Sequence, residues 1–129
     1  MPAPLPAKPT KRMPDIQLFG RDDSSATRAA LRFFRERRVQ VTFVDLKKRT
    51  IAPSELRRFV DKLGARRLLD ETSKPYRDEG LAYLSTSDGA LTDRMLRDAR
   101  LLRLPLVRHG NDVTAGIDED TWKAWLAKP

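Results

Sequence analysis

Apolar residues recur along the chain with two different periods, and their alternation predicts an α/β domain. A short apolar run, 16–19, ends at Gly20 and predicts a first strand. After it, apolar residues recur at i, i+4, i+7 and i+8, which is the spacing of one buried helical stripe. The β-branched segment 39–44 then alternates with period two and predicts a second strand. The helical stripe consists of Ala26, Ala30, Phe33 and Phe34.

The middle of the chain predicts helices and no strands. Pro53 suits the first turn of a helix, and Gly64 is placed to end it. Between them, four apolar residues share one helical face. These four are Leu56, Phe59, Val60 and Leu63. Further helical segments are predicted at 65–71, at 75–84 and, with Thr92 as the N-cap, at 92–102.

The last part of the chain predicts a hairpin followed by a helix. Segments 104–107 and 112–115 predict strands three and four, joined by a turn at 109–111. Asp118 is placed to cap a final helix whose apolar residues lie at i, i+3 and i+4. These are Trp122, Trp125 and Leu126. A strand, a helix and a strand in succession favour a βαβ unit with parallel strands. The whole order predicts a four-stranded mixed sheet (βαβ, then ββα), with a helical insertion between strands two and three.

Composition narrows the chemistry that is open to this chain. It has 129 residues, 40% of them hydrophobic, and no cysteine. Without a thiol it has no disulfide, no thiolate metal site and no cysteine nucleophile of its own. No apolar run approaches the roughly 20 residues that span a bilayer. We therefore expect a cytoplasmic protein without a membrane segment.

The proline distribution divides the chain into two parts. Residues 1–14 hold five of the nine prolines and carry basic side chains without an acidic one. This composition predicts a flexible, basic tail without the apolar stretch of a secretory signal. The remainder, 15–129, is long enough to bury a core and is predicted to form one domain.

The net charge of +8 indicates an anionic partner. An acidic protein surface and a nucleic acid are both open, although the arginines lack the interleaved aromatics that single-stranded nucleic acids stack upon. Arginines interleaved with acids are also typical of a solvated helical surface. The candidate docking face lies on helix one and just after it. Its residues are Arg28, Arg32, Arg35, Arg37 and Arg38.

Several segments together resemble the ArsC/Spx family of thioredoxin-fold proteins. The resemblance extends from about residue 16 to residue 126. Each segment alone has low specificity, but their order and spacing are those of the family. The resemblance implies a thioredoxin-like fold. The segments that carry it are 55–64, 66–69, 74–81, 101–107 and Gly116 with 118–120.

In that family a reactive cysteine begins helix one, where the helix dipole lowers the pKa of a thiol and favours oxyanions. The resemblance places Ser24 at this cysteine, Thr27 at the second cysteine or serine, and Arg28 at the family's arginine. A serine hydroxyl needs a neighbouring base to become a nucleophile. The one histidine, His109, is predicted in a distant turn. We therefore expect Ser24 to cap the helix and not to react.

The oxyanion clamp of the glutaredoxin-dependent members is mostly missing. The resemblance implies three arginines around the anion, and Arg66 matches one of them. Leu104 stands at the second position, with Arg103 one residue away and so on the opposite face of a strand. Gly116 stands at the third position.

Two further features of the resemblance concern the same groove. Pro105 matches the family's cis-proline and is expected to be cis, shaping the groove beside Ser24 and Thr27. Arg21, Asp22 and Asp23 replace the neutral residues that precede the reactive cysteine. Two carboxylates at this place stabilise the helix and are expected to repel an arriving anion.

Three functions follow as hypotheses. The favoured one is a non-catalytic, protein-binding or regulatory member that lost its thiol and binds an acidic partner, as Spx-like docking on a transcription partner would require. The alternative is an arsenate reductase-like oxidoreductase that uses external thiols, with glutathione as its cofactor, or a chain in which Ser24 replaces a natural cysteine. The third is a basic nucleic-acid-associated protein. We expect a monomer without a metal site and, under the favoured hypothesis, without a cofactor.

Overall fold

The computed structural model describes residues 16–83 and 87–127, so the predicted tail lies outside the described residues. The four described strands are β1 (Ile16–Gly20), β2 (Val41–Asp45), β3 (Leu106–His109) and β4 (Asp112–Ala115). The five described helices are α1 (Ser25–Glu36), α2 (Pro53–Leu63), α3 (Lys74–Asp78), α4 (Asp88–Arg97) and α5 (Glu119–Ala127). Short 3₁₀ turns at Arg66–Leu68, Leu81–Tyr83 and Ala99–Leu101 connect the helices of the insertion.

The strands form one mixed sheet in the order β2-β1-β3-β4. β1 and β2 are parallel, with Gly20 beside Asp45, while β3 is antiparallel to both β1 and β4. The element order is therefore βαβ, then ββα, with α2–α4 inserted between the second and third strands. This is the thioredoxin-like fold that the sequence predicted.

Helices cover both faces of the sheet, and each face has its own apolar core. On one face, α1 and α5 pack their aromatic residues together, and the Phe34 and Trp122 rings lie 5.2 Å apart. The Trp122 indole N–H donates to the buried Thr114 hydroxyl at 2.8 Å, which satisfies its polar atom. On the other face, the inserted helices pack against β1, where Phe19 meets Phe59 edge to face. The predicted stripes of α1, α2 and α5 are thereby confirmed as core-facing.

The boundaries of the inserted helices differ from the prediction. Thr92 is not an N-cap, because α4 begins four residues earlier and Ser87 caps it by accepting the N–H of Ala90 at 3.2 Å. The predicted helix to residue 102 was also wrong, since Asp98 has an extended backbone that stops α4 after Arg97. The short helices predicted around 65–71 and 75–84 are present as the turn at Arg66–Leu68 and as α3 with the turn at Leu81–Tyr83. Local pattern alone does not show where such polar caps interrupt a helical run.

Two of the strand predictions and the hairpin turn need small corrections. β2 occupies 41–45 instead of 39–44, and β3 occupies 106–109 instead of 104–107. The fourth strand is confirmed. Its hairpin turn is shorter than predicted, because His109 pairs with Asp112 and leaves a two-residue loop in which Gly110 has a φ of 59°.

The Leu104–Pro105 peptide bond is cis, as the resemblance implied. No helix in the described residues is long and apolar enough to cross a bilayer.

Candidate functional site at the start of helix α1

Ser24 is the N-cap of α1, so the predicted cap is confirmed. Its backbone is extended, with φ −90° and ψ 122°, as an N-cap requires. The Oγ accepts the N–H of Thr27 at 3.2 Å, and the Ser24 carbonyl accepts the N–H of Arg28 at 3.0 Å. The hydroxyl oxygen is thus engaged in holding the helix start, at the place where the reactive group was expected.

Thr27 is a packing residue of the loop and does not face solvent. Its side chain is completely buried, and its Oγ1 accepts the backbone N–H of Arg21 at 3.3 Å. It also lies against Gly20, where an added Cβ would come within 2.5 Å of the Thr27 side chain. The close approach of β1 to α1 at this point therefore depends on a glycine paired with a threonine.

Both carboxylates of the loop are held by cations. Asp22 pairs with the Nζ of Lys47 at 2.9 Å, and Asp23 pairs with the guanidinium of Arg21 through two hydrogen bonds of 3.0 and 2.9 Å. The Arg21 hydrogen bond lowers the pKa of Asp23, and the Asp22 hydrogen bond raises the pKa of Lys47. The expectation that these carboxylates repel an arriving anion needs correction. Their repulsion is smaller than predicted, and the two cations that could attract an anion are engaged with the loop itself.

A third ion pair lies close to this loop. Asp98 accepts two hydrogen bonds from the Arg100 guanidinium, at 3.0 and 2.9 Å, which lower the pKa of Asp98. A pocket of about 370 Å³ opens between this pair and the end of β2. Arg28 and Arg66 do not line it. Its lining consists of Arg21, Leu46, Lys47, Thr50, Ile51 and 95–99.

The chain's histidine lies at the far end of the sheet from Ser24. His109 is paired with Ile16, the first residue of β1, whereas Ser24 follows the last residue, Gly20. The length of the strand alone separates them by roughly 13 Å. The imidazole instead stacks on the Trp125 ring, with centroids 5.5 Å apart. Ser24 and His109 are therefore not brought together as a nucleophile and its base.

The ArsC family profile matches residues 19–125, which is most of the chain. The chain belongs to the ArsC family. A comparison with curated protein sequences finds no significant match.

Solved structures agree with this assignment at the level of the fold. The YffB protein has 21% identity and a TM-score of 0.80, over 87% of this chain and 99% of its own. A Staphylococcus aureus COL protein has 24% identity and a TM-score of 0.73, over 87% of this chain and 99% of its own. The arsenate reductase from Vibrio cholerae has 18% identity and a TM-score of 0.72, over 80% of this chain and 90% of its own.

Arg103 precedes β3, so the prediction that it lies on the opposite face of a strand was wrong. Gly116 has a φ of 76°, and a Cβ built on it would lie 3.0 Å from the Cγ and Cδ of Arg103. The stem of Arg103 thus occupies the space above residue 116, where an arginine of the clamp would start. The backbone of Arg103 is held by the carbonyl of Leu68, two residues after Arg66. Arg66 itself is exposed at the start of a 3₁₀ turn.

The outward face of α1 carries the predicted arginines. Arg28, Arg32 and Arg35 are exposed, and a guanidinium N–H of Arg28 donates to the Asp22 carbonyl at 2.9 Å. Arg37, just after the helix, lies 3.8 Å above the Phe33 ring.

In the described residues, no cluster of three acidic or histidine side chains could hold a metal.

Sequence reasoning missed the ion pairs that hold the loop, Arg21 with Asp23 and Lys47 with Asp22. Lys47 is 25 residues from Asp22, so no local spacing identifies the pair. The signal that could have found it is the parallel register of β1 and β2, which places Asp45 beside Gly20 and the two following loops side by side. For Arg21 a local signal existed, because Asp23 follows two residues later.

Proposed function

We propose that this ArsC-family protein is a non-catalytic binding protein, which keeps the scaffold of the reductases but uses a basic surface to bind an acidic protein partner. The observation that carries the proposal is the state of Ser24. Its hydroxyl caps α1 at the position of the family's reactive cysteine, in a chain that contains no cysteine.

Chemistry at Ser24 would require a base and an oxyanion host. A serine hydroxyl is far too weakly acidic to ionise at a helix terminus without a base. The chain's histidine lies beside the opposite end of β1, where it pairs with Ile16. For the anion, Gly116 has no side chain, and Arg21 and Lys47 form ion pairs with Asp23 and Asp22. These features support a loss of thiol chemistry together with a loss of the clamp.

Binding requires only a surface, and the α1 face supplies one. Arg28, Arg32 and Arg35 lie at i, i+4 and i+7, so they project from one side of the helix. In the described part of the chain, Arg32 and Arg35 form no ion pair or hydrogen bond with another side chain. Exposed guanidinium groups without intramolecular partners can make charge-assisted hydrogen bonds to carboxylates of another protein.

The first experiment tests for catalysis. Purified protein is assayed for arsenate reduction with glutathione and glutaredoxin, beside a glutaredoxin-dependent reductase as the positive control. We expect the wild-type rate to equal the blank. A rate above the blank that scales with protein concentration would overturn the non-catalytic proposal and favour the alternative with external thiols. The variant Ser24→Cys is expected to remain near the blank, because it restores the thiol but not the clamp.

The second experiment tests the binding face. The wild-type protein, R32E/R35E and the control R57E/R58E are used to capture partners from native lysate. Arg57 and Arg58 are exposed on α2, so the control has the same change of charge on a different surface. We expect an acidic protein, identified by mass spectrometry, that is retained by the wild type and the control and lost with R32E/R35E. Equal retention by all three proteins would contradict the assignment of the α1 face.

A further inference from the structure

The edge of the sheet at β2 has a hydrogen-bonding side that no described strand occupies. β2 is the first strand in the order β2-β1-β3-β4 and pairs only with β1 among the described residues. At the opposite edge, β4 lies against α2. Thr42 is exposed, and Val41, Phe43 and Asp45 are only partly buried. An edge strand of this kind presents unpaired backbone N–H and C=O groups to any extended segment that approaches it.

Basic residues are concentrated at both ends of this edge. The segment 35–49, which contains β2, has six basic and two acidic residues. Its net charge of +4 is half of the +8 carried by the whole chain. One cluster lies at the end of α1 and the following turn, and the other lies in the turn after β2. The charge is therefore placed along the path that an added strand would follow.

Part of this charge is not used within the described structure. Arg37 lies on Phe33, Lys47 pairs with Asp22, and Arg49 pairs with Glu55. The remaining cations are exposed and form no ion pair with another described residue. They are Arg35, Arg38 and Lys48.

The acidic residue of the strand, Asp45, offsets only part of this positive charge. The Oδ1 of Asp45 accepts the backbone N–H of Lys47 at 3.0 Å, so this carboxylate is engaged in its own turn. Thr42 is the exposed side chain of β2 and is uncharged. An arriving strand therefore meets backbone groups in the middle and cations at both ends.

These charges decide which strand can pair with β2. Basic residues at an edge protect it against pairing with a second copy of the same chain, because like charges would then face each other. The same residues attract a segment of opposite charge. The repulsion of a second copy and the attraction of an acidic segment therefore both favour an acidic partner.

We propose that the β2 edge binds an acidic, extended segment of the partner protein as an added strand. The backbone of that segment pairs with β2, and its carboxylates pair with Arg35, Arg38 and Lys48. This inference rests on the proposed binding function and specifies its mode, since backbone pairing provides affinity and side chains provide specificity.

The test uses a ten-residue probe peptide of alternating valine and glutamate and a second peptide of the same sequence with an N-methyl group on every residue, so that both edges of its backbone are blocked. The N-methylated peptide keeps the charge but cannot complete a ladder. Amide hydrogen exchange of the ¹⁵N-labelled protein is followed by NMR at low salt. We expect the first peptide to slow the exchange of those 41–45 amides that do not donate to β1 by at least about tenfold, and the N-methylated peptide to slow none.

Charge variants provide the second readout. Arg38 has a φ of 60°, a conformation that asparagine tolerates, so R38N/K48Q removes two charges without backbone strain. The control R57Q/R58Q removes two charges from α2. We expect R38N/K48Q to raise the Kd of the probe peptide by about fivefold or more and the control to change it less than twofold.

Four results would overturn the inference. They are no binding of the probe at low salt, equal binding of the N-methylated peptide, protection or shifts confined to α1, and tighter binding of a duplex or single-stranded DNA at the same residues. If a partner captured by the wild type is lost with R32E/R35E while β2 gains no protection, the binding function stands and the strand-pairing mode fails. Arsenate turnover by the wild type would refute the non-catalytic part of the proposed function, and equal capture by the wild type, R32E/R35E and R57E/R58E would refute the assigned binding face.

Discussion

The close contact between Gly20 and Thr27 offers a direct test of how the first loop is built. A Cβ at residue 20 would lie 2.5 Å from both the Cγ2 and the Oγ1 of Thr27 and 3.1 Å from its Cβ. Removal of both branches in Thr27→Ala would leave only the 3.1 Å contact, which small shifts can relieve. The two substitutions should therefore compensate each other, which makes a double-mutant cycle informative.

The magnitudes follow from the surroundings of the two residues. Overpacking a buried site costs about 1–3 kcal/mol, from which Gly20→Ala recovers roughly 0.4–1 kcal/mol through the reduced entropy of the unfolded chain. Thr27→Ala loses the acceptor of the Arg21 N–H and a buried methyl group, about 1–2 kcal/mol. In G20A/T27A the new methyl group occupies the vacated space. We expect a favourable coupling free energy of about 1–2 kcal/mol.

The assay is urea unfolding followed by the fluorescence of the buried Trp122 and Trp125. Unchanged m-values would confirm that the variants differ in stability and not in the denatured state. The matched control is G20A/T27V. Valine keeps both branches and therefore the clash, so this double variant should lose at least as much free energy of unfolding as G20A and T27V lose in sum. If G20A and T27A were additive within about 0.5 kcal/mol, Thr27 would not pack as described, and a side chain directed toward the groove would have to be considered again.

Three further predictions concern the ends of helices. Ser24→Ala should lower the free energy of unfolding by about 1 kcal/mol, or the Tm by roughly 4 °C, measured by thermal denaturation; no change would show that the hydroxyl is not engaged as the cap. Ala52→Ser should raise stability by about 0.5–1 kcal/mol in urea unfolding, because the N-cap of α2 has an extended backbone but no side-chain acceptor. Glu55 accepts the Ala52 N–H at 2.8 Å and pairs with Arg49, and the Arg49 hydrogen bond lowers its pKa in the folded protein. A lowered pKa contributes stability above the unfolded value of 4.5 that is lost as the pH falls through the folded pKa. Glu55→Gln should therefore remove about 0.5–1 kcal/mol at pH 7 and little at pH 2, and an equal effect at both pH values would contradict the linkage.

The loop before α1 shows why a sequence resemblance predicts a position but not its electrostatics. Ser24 was placed as a cap from its residue type and its place before a helical stripe, because a cap is a contact between residues three apart. The charge of the loop could not be read in this way. Asp22 is neutralised by Lys47, which comes near only because β1 and β2 are parallel and in register.

By itself, the sequence determined the order of the elements, the core-facing stripes, the caps at Ser24 and Asp118, and the absence of any thiol. These properties depend on composition and on contacts between near neighbours, so the pattern of residue types is sufficient. Only the tertiary structure decided that Thr27 fills the space beside Gly20, that the stem of Arg103 lies above Gly116, and that β2 is an edge with cations at both ends. These depend on strand register and on the meeting of distant loops, where steric fit and charge are set by residues that no local spacing brings together.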